Sequence, residues 1–159
     1  GVKRRFRAAP AFLALGLLAG CDSGERLVRY VCEEPLDRYL ELARDYEVER
    51  SRRILTRCAD KTYHRRYTFT FEPRAMASRQ ASEASVRADW CGSAKARTAA
   101  AELTTTSAFL TFRFDYPWAT PTGKYPRTEF RLNRNTMVGG FFDDMRWTCQ
   151  LERDESAPD

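Results

Sequence analysis

From residue 62 onward the chain alternates hydrophobic and polar positions with a period of two, a pattern typical of β-strands that bury one face. In residues 62–72, for example, Tyr67, Phe69 and Phe71 fall on one face. The further segments with this alternation are residues 83–91, 107–116, 128–132, 136–142 and 145–152. The pattern predicts five or six short strands that follow one another along the chain.

Some stretches fit this pattern less well. Gly139-Gly140 interrupts the run 136–142 and predicts a bulge or a bend there. Residues 73–82 and the alanine-rich residues 92–106 are compatible with either a helix or a strand.

A helical period precedes the strands, in residues 35–55. Pro35 suits the first position of a helix, and Asp37 suits the positive end of the helix dipole. Leu36, Leu40 and Ala43 then recur on one face at helical spacing. We therefore expect an α+β fold, in which this N-terminal helix packs on a five- to six-stranded antiparallel meander or small open barrel.

The first 21 residues have a different character. A basic start is followed by the uncharged, apolar residues 8–19, a run of 12 that is too short to span a bilayer. The run ends in Leu18-Ala19-Gly20-Cys21. This segment resembles the signal peptide and lipobox of bacterial lipoproteins, although an ordinary signal peptide with a chance cysteine, or a buried helix, is an alternative. The resemblance implies that residues 1–20 are removed and that acyl chains such as palmitate on Cys21 anchor the protein to a membrane.

Asp22 directly follows the lipidation candidate. An aspartate there resembles the signal that keeps enteric lipoproteins on the periplasmic face of the inner membrane, with the outer membrane as the alternative. We expect a signal peptide at 1–20, the lipidated cysteine and a tether at 21–31, one globular domain at 32–151, and a disordered acidic tail at 152–159. The ten residues 22–31 reach at most about 35 Å.

The basic character of the chain belongs mainly to the expected signal peptide. The 27 basic side chains exceed the 22 acidic ones by five, but residues 1–20 hold four basic residues and no acidic one. The remaining 139 residues are therefore close to neutral, with 23 basic and 22 acidic side chains. A role in binding nucleic acid loses its main support.

Four cysteines remain once Cys21 is lipidated: Cys32, Cys58, Cys91 and Cys149. An even number in an oxidising compartment predicts two disulfides, with three possible connectivities. We prefer Cys32–Cys58, which would bracket the helix, and Cys91–Cys149, which would join two strands. Because no two cysteines are spaced by two residues and the chain has one histidine, we expect neither a metal nor another cofactor.

No motif in the chain points to catalysis. The single histidine, His64, lies at a polar strand position, where we expect it to be solvated. The pair Asp143-Asp144 reads best as a hairpin turn. Five arginines form the densest basic cluster and either face lipid headgroups or form a salt-bridged surface: Arg52, Arg53, Arg57, Arg65 and Arg66. We expect the protein not to be an enzyme.

The best binding candidate is the proline-rich loop 116–126. Its prolines stiffen the chain and lower the entropy lost on binding. Trp118 and Tyr125 are residue types that anchor interfaces, and Lys124 lies beside Tyr125 in the same loop. The alternative is that both aromatic rings fold back onto the core.

Three functions compete. The first is a lipid-anchored, non-catalytic envelope protein that binds or steadies another envelope protein through this loop or an exposed strand edge. The second is a periplasmic inhibitor or immunity protein: Tyr30-Val31-Cys32 soon after the anchor is faintly similar to membrane-bound lysozyme inhibitors, but residues 91–95 match their serine–glycine–tyrosine segment poorly. The third is an enzyme acting on cell-wall or lipid substrates, which would need a pocket that gathers several of these residues: His64, Asp89, Asp115, Asp143 and Asp144.

Overall fold

The protein forms a closed antiparallel β-barrel of eight strands. The structure is a computed structural model that describes residues 26–37, 52–53, 56–91, 93, 95–117, 123, 126–141 and 144–152. The strands are β1 (Val28–Pro35), β2 (Tyr63–Phe71), β3 (Ser82–Trp90), β4 (Arg97–Thr105), β5 (Phe109–Asp115), β6 (Arg127–Asn133), β7 (Val138–Phe141) and β8 (Asp144–Glu152). A short 3₁₀ helix, Pro73–Ala77, lies between β2 and β3. Each strand pairs with the next, and β1 pairs with β8 to close the barrel.

Aromatic side chains fill the barrel. The alternation that predicts the strands turns one residue in two inward, and the largest inward side chains are fully buried: Trp147, Tyr67, Phe69, Phe112, Phe114 and Phe130. Their rings are in contact, with centroids 4.0 Å apart for Phe69 and Phe112 and 5.2 Å apart for Tyr67 and Trp147. An eight-stranded barrel is just wide enough for side chains to fill it. The interior is therefore the hydrophobic core of the protein.

The expected α+β fold is wrong. The regular structure of the described residues is almost entirely β, and the sheet closes on itself where we expected a meander or a small open barrel covered by a helix. Pro35, which we placed at the first helical position, is the last residue of β1. Within the expected helix, residues 36–37 and 52–53 have helical backbone, whereas residues 38–51, 54 and 55 lie outside the described residues.

The six predicted strands are confirmed as β2, β3 and β5–β8. Two strands were not predicted. β1 begins at Val28, inside the segment that we expected to be a tether, and β4 lies in the alanine-rich stretch that was compatible with helix or strand. The expected bulge at Gly139-Gly140 is also confirmed, because the register of β7 on β8 shifts between Gly139 and Phe141.

Both disulfides form, but with a different connectivity from the one we preferred. Cys32 is bonded to Cys149, and Cys58 to Cys91. Cys32 and Cys149 face each other in the paired strands β1 and β8, so the first bond closes the seam of the barrel. The sequence placed Cys32 before a helix, and so its position opposite Cys149 was not foreseen.

The two ends of the barrel differ. At the loop end, the connections between strands are residues 36–62, 91–96, 116–126 and 142–143. At the entry end, β1 begins, β8 ends, and the connections are residues 72–81, 106–108 and 134–137. The longest connections thus emerge at the end opposite to the start of β1. In the described part of the chain, no helix has the length and apolar character needed to cross a membrane.

Candidate functional site

A cluster of buried and half-buried polar side chains lies at the loop end of the barrel. Its members come from β1, from β2, from the end of β3 and from the residue after β5: Glu34, His64, Arg65, Trp90 and Tyr116. An irregularity in the pairing of β1 with β2 brings these side chains together. Glu34 pairs with Arg65, but the next residue, Pro35, pairs with Tyr63.

His64 is therefore the extra residue of a β-bulge. Pro35 has no N–H to donate to a strand ladder, which is why proline within a sheet is found at edges and bulges. A bulge redirects side chains that would otherwise alternate across the sheet. As a result, His64 and Arg65, although adjacent in β2, both hydrogen-bond to Glu34.

Arg65 and Glu34 form a two-pronged ion pair inside the barrel. Arg65 Nε donates to Glu34 Oε2 at 2.6 Å, and Arg65 Nη2 donates to Glu34 Oε1 at 3.2 Å. The Arg65 guanidinium also lies 5.0 Å from the centre of the Trp147 ring and 5.8 Å from that of Phe141. Aromatic faces attract such a cation. The pair is therefore held by both polar and aromatic contacts.

The hydrogen bonds of His64 define its tautomer. Trp90 Nε1, which can only donate, lies 2.8 Å from His64 Nε2, so that nitrogen is an acceptor and carries no proton. His64 Nδ1 lies 3.0 Å from Glu34 Oε2 and is therefore the donor. Both nitrogens of the imidazole are therefore engaged. We expected His64 to be solvated, but only 6% of it is exposed.

The cluster also contacts the base of the loop 116–126. Arg65 Nη1 donates to the Tyr116 hydroxyl oxygen at 3.1 Å. The Tyr116 amide donates to the Pro126 carbonyl at 2.8 Å, which closes the base of this loop. Arg97 Nη1 donates to the carbonyl of Pro117 at 3.1 Å. The two ends of the loop are thus fixed to the barrel and to its internal ion pair.

Burial and hydrogen bonding act in opposite directions on these groups. Burial alone would raise the pKa of Glu34, but the hydrogen bonds from His64 and Arg65 and the charge of Arg65 outweigh it and hold that pKa below its usual value. Burial likewise lowers the pKa of Arg65, whereas the hydrogen bonds and charge of Glu34 more than compensate and raise it. Burial raises the pKa of Tyr67, the next inward residue of β2. Glu34 is therefore an anion and Arg65 a cation at neutral pH.

This geometry does not suit acid–base catalysis. A general base needs a nitrogen that can reach a substrate proton, and Trp90 occupies the one nitrogen of His64 that is not donating to Glu34. Within the described residues, no group of three or more histidine, cysteine or acidic side chains is placed to hold a metal ion. The cluster instead connects strands and loop bases at one end of the barrel.

Two of the other acidic candidates take part in ion pairs. Asp89 is in an ion pair with Arg87, and Asp115 with Arg127. Asp144 is the first residue of β8, and Asp143 lies outside the described residues.

The arginine cluster that we read from the sequence is divided by the barrel wall. Arg65 points inward, whereas Arg66 is on the outer face, bonded to Glu33 at 2.8 Å and 4.0 Å from the centre of the Tyr63 ring. Arg52, Arg53 and Arg57 are exposed, in the connection at the loop end.

The binding and lipidation candidates can be placed only by their position in the chain. Trp118, Lys124 and Tyr125 lie outside the described residues, but the loop that contains them connects β5 to β6 at the loop end. Cys21 and Asp22 also lie outside the described residues, and they precede β1 at the entry end.

Glu34, the centre of the buried cluster, was missed by the sequence analysis. The expectation of a helix beginning at Pro35 hid its place in a strand. The glutamate two residues after Cys32 in a short alternating run, Tyr30, Cys32 and Glu34, was the one available signal.

A shallow groove crosses the outer wall of the barrel over β8, β1, β2 and β3. Its charges are mostly neutralised in pairs, Arg29 with Glu152 and Arg66 with Glu33. Arg87 and Asp89 form a third pair in the same groove. Of the described side chains proposed for an enzyme site, which are His64, Asp89 and Asp115, this groove contains Asp89 alone.

Comparison of the chain with protein-family models, with curated proteins and with solved structures found no match.

Proposed function

We propose that this chain is a lipid-anchored, non-catalytic protein of the bacterial envelope that binds another envelope protein through the loop end of its barrel. The observation that carries the proposal is that the start of β1 and the loop 116–126 lie at opposite ends of the barrel. A chain anchored through Cys21 would hold the entry end near the membrane. The loop with Trp118 and Tyr125 would then face away from the membrane, toward other proteins.

The packing of the barrel supports a binding role over transport or catalysis. Its interior is packed with aromatic side chains, and its one histidine is enclosed between Glu34 and Trp90. The internal ion pair reaches the loop base through Tyr116. A rigid base lowers the entropy that a loop loses when it binds a partner.

Site-specific photo-cross-linking in cells tests this proposal. A photoreactive amino acid at Tyr125 is expected to yield one dominant adduct in the envelope fraction, whereas the same group at Ser85, exposed midway along β3 on the barrel wall, is expected to yield none. The adduct should disappear from a Trp118→Ala variant that retains both disulfides. Equal labelling from both positions, or no adduct from Tyr125 in abundant anchored protein, would overturn the proposal.

Inhibition of an enzyme is the second candidate, and the rigidity of the scaffold favours it. A closed barrel with two disulfides is a scaffold with little conformational freedom to lose, as a tight inhibitor requires. A lysozyme assay at high molar excess of the barrel tests the version suggested by the sequence. Undiminished lysozyme activity would eliminate it.

A further inference from the structure

We infer that the entry end of the barrel lies against the phospholipid surface, with Leu27 and Leu151 in the interfacial layer. This inference rests on the proposed lipid anchor and adds to it an orientation of the barrel.

The exposed apolar side chains indicate the contact. Leu27 is 55% exposed and Leu151 is 43% exposed, and these are the large hydrophobic residues that the described part of the chain leaves in solvent. Both lie at the entry end, since Leu27 precedes the first residue of β1 and Leu151 is the next-to-last residue of β8. Leu27 also borders a groove that includes Phe71 and Ala75.

The short distance along the chain from Cys21 to β1 indicates that the surface in contact with the entry end is the phospholipid bilayer. Cys21 precedes Leu27 by six residues, which span at most about 20 Å even when fully extended. Acyl chains on Cys21 would therefore keep Leu27 within reach of the bilayer surface. Apolar side chains at such a surface enter the boundary between headgroups and acyl chains.

The charges at this end indicate that apolar contact, rather than electrostatic attraction, makes the interaction. The described arginines there are Arg26, Arg29, Arg74, Arg79 and Arg134, and the described glutamates are Glu72, Glu83 and Glu152. Two of the arginines already pair with glutamates, Arg29 with Glu152 and Arg74 with Glu72. Asp22 and Glu25 add acidic charge in the adjoining sequence. The contact should therefore depend little on anionic lipid or on salt.

Fluorescence quenching by brominated lipids tests the inference. The lipidated protein is reconstituted in phosphatidylcholine vesicles with brominated acyl chains, and tryptophan is introduced in turn by Leu27→Trp, Leu151→Trp and the control Thr98→Trp. The native tryptophans are common to all three variants and are subtracted. Tryptophan at either leucine position should be quenched about twofold or more relative to the control, as expected for a ring about 5–10 Å deep in the interface.

A second measurement avoids the preference of tryptophan for interfaces. Amide hydrogen exchange in the entry-end connections 72–81 and 134–137 should be slower on vesicles than in detergent-free solution for the native chain. The Leu27→Asp, Leu151→Asp double variant should lose this protection, whereas Thr98→Asp should keep it. Equal quenching at all three tryptophan positions, or protection unchanged by the aspartates, would overturn the inference.

The failure of the anchor itself can be recognised separately. Mass spectrometry of the protein from cells shows directly whether Cys21 is acylated. If Cys21 is unmodified, the proposed anchored function fails. Quenching of the same tryptophan variants, added to preformed vesicles, then shows whether the entry end contacts lipid without the anchor. Absence of quenching at Leu27 and Leu151 in that case would reject the docking as well.

Discussion

Glu34 holds a negative charge inside the barrel with only 6% of its surface exposed. Moving a carboxylate out of water is costly unless hydrogen bonds and an opposite charge replace the solvent. Arg65 supplies the charge and two hydrogen bonds, and His64 supplies a third. The stability of this end of the barrel therefore depends on a small set of residues that cannot be replaced one at a time without cost.

Replacing Glu34 by glutamine should strongly destabilise the fold. Glu34→Gln leaves the Arg65 cation buried without its counter-charge, and breaking a buried pair in this way costs about 3–5 kcal/mol. The neighbouring pair Glu33–Arg66 is the matched control, because its side chains are 30% and 37% exposed and Glu33→Gln should cost about 1 kcal/mol or less. Urea unfolding of the two variants measures both losses. Equal losses would show that the Glu34 pair contributes no more than a surface pair.

The same pair should make the barrel sensitive to acid. Because the pKa of Glu34 is lower in the folded protein than in the unfolded chain, the unfolded state binds the proton more readily. The contribution of Glu34 to stability is therefore fully present above the usual pKa of a glutamic acid and is lost as pH falls through its lowered value in the folded protein. The difference in unfolding free energy between the native chain and Glu34→Gln should shrink from pH 7 toward pH 2. A difference that stays constant over this range would contradict the assignment.

The single histidine offers a direct test of the hydrogen-bond geometry. Nitrogen chemical shifts of His64 at neutral pH should show a protonated Nδ1 and an unprotonated Nε2, because Trp90 donates to Nε2. In a Trp90→Phe variant this preference should weaken, and the protein should lose about 1 kcal/mol of stability through the missing hydrogen bond. A native spectrum with the proton on Nε2 would show that Trp90 does not donate to His64.

At the scale of the element, β7 is a short, glycine-containing strand that packs closely against a core ring. It has four residues, two of which are glycines, and it carries the bulge against β8. A Cβ atom at Gly139 would lie 2.8 Å from Phe130 Cε1 and 3.0 Å from the carbonyl oxygen of Arg131. The sequence signal for a bulge thus coincides with a place where the wall closely approaches a core ring.

Gly139→Ala should therefore be destabilising although it adds a single methyl group. Forcing extra volume into a packed core costs about 1–3 kcal/mol. Thermal or urea unfolding measures the loss, and the double variant Gly139→Ala, Phe130→Leu, which shortens the obstructing ring, tests its cause. If the alanine costs no less in the background of leucine at position 130, the clash with the ring is not its origin.

The elements also show what a sequence can and cannot reveal. Alternation of polar and apolar residues identified the six strands whose inward faces carry large side chains, such as Phe69 and Phe112. It failed for β4, whose alanines suit both helix and strand. It failed for β1 because Pro35 and Asp37 resemble the start of a helix, whereas in the fold Pro35 adjoins a bulge. The polar cluster could not be predicted, since its members meet only through that bulge and the register of β2 on β3.

At the scale of the whole molecule, closure of the sheet narrows the ways in which this protein can bind. We considered an exposed strand edge as a docking site for a partner. In a closed barrel the unpaired edge disappears, because β1 pairs with both β2 and β8. Among the described residues, the barrel therefore offers a partner its loop bases and its outer wall, and no strand edge.

The disulfide across the closing seam should contribute more stability than the other one. Cys32 and Cys149 are 117 residues apart in sequence, whereas Cys58 and Cys91 are 33 apart. From the loop entropy of the unfolded chain, these bonds contribute about 5 and about 4 kcal/mol respectively. Urea unfolding under non-reducing conditions measures the loss of unfolding free energy in the double variants Cys32→Ala, Cys149→Ala and Cys58→Ala, Cys91→Ala. The first variant should lose more. A larger loss in the second variant would reverse this order.

The disulfide at the seam also bears on how the barrel responds to mechanical force. If the protein is held through residues that precede β1 and a partner is bound at the opposite end, tension enters the barrel along β1. Only the four residues Val28–Val31 precede Cys32 in that strand, so a pull can peel no more than this short segment from its neighbours before it reaches the covalent bond. Beyond that point the Cys32–Cys149 disulfide transmits the force to β8. The hydrogen bonds between the remaining strands are then not broken one after another.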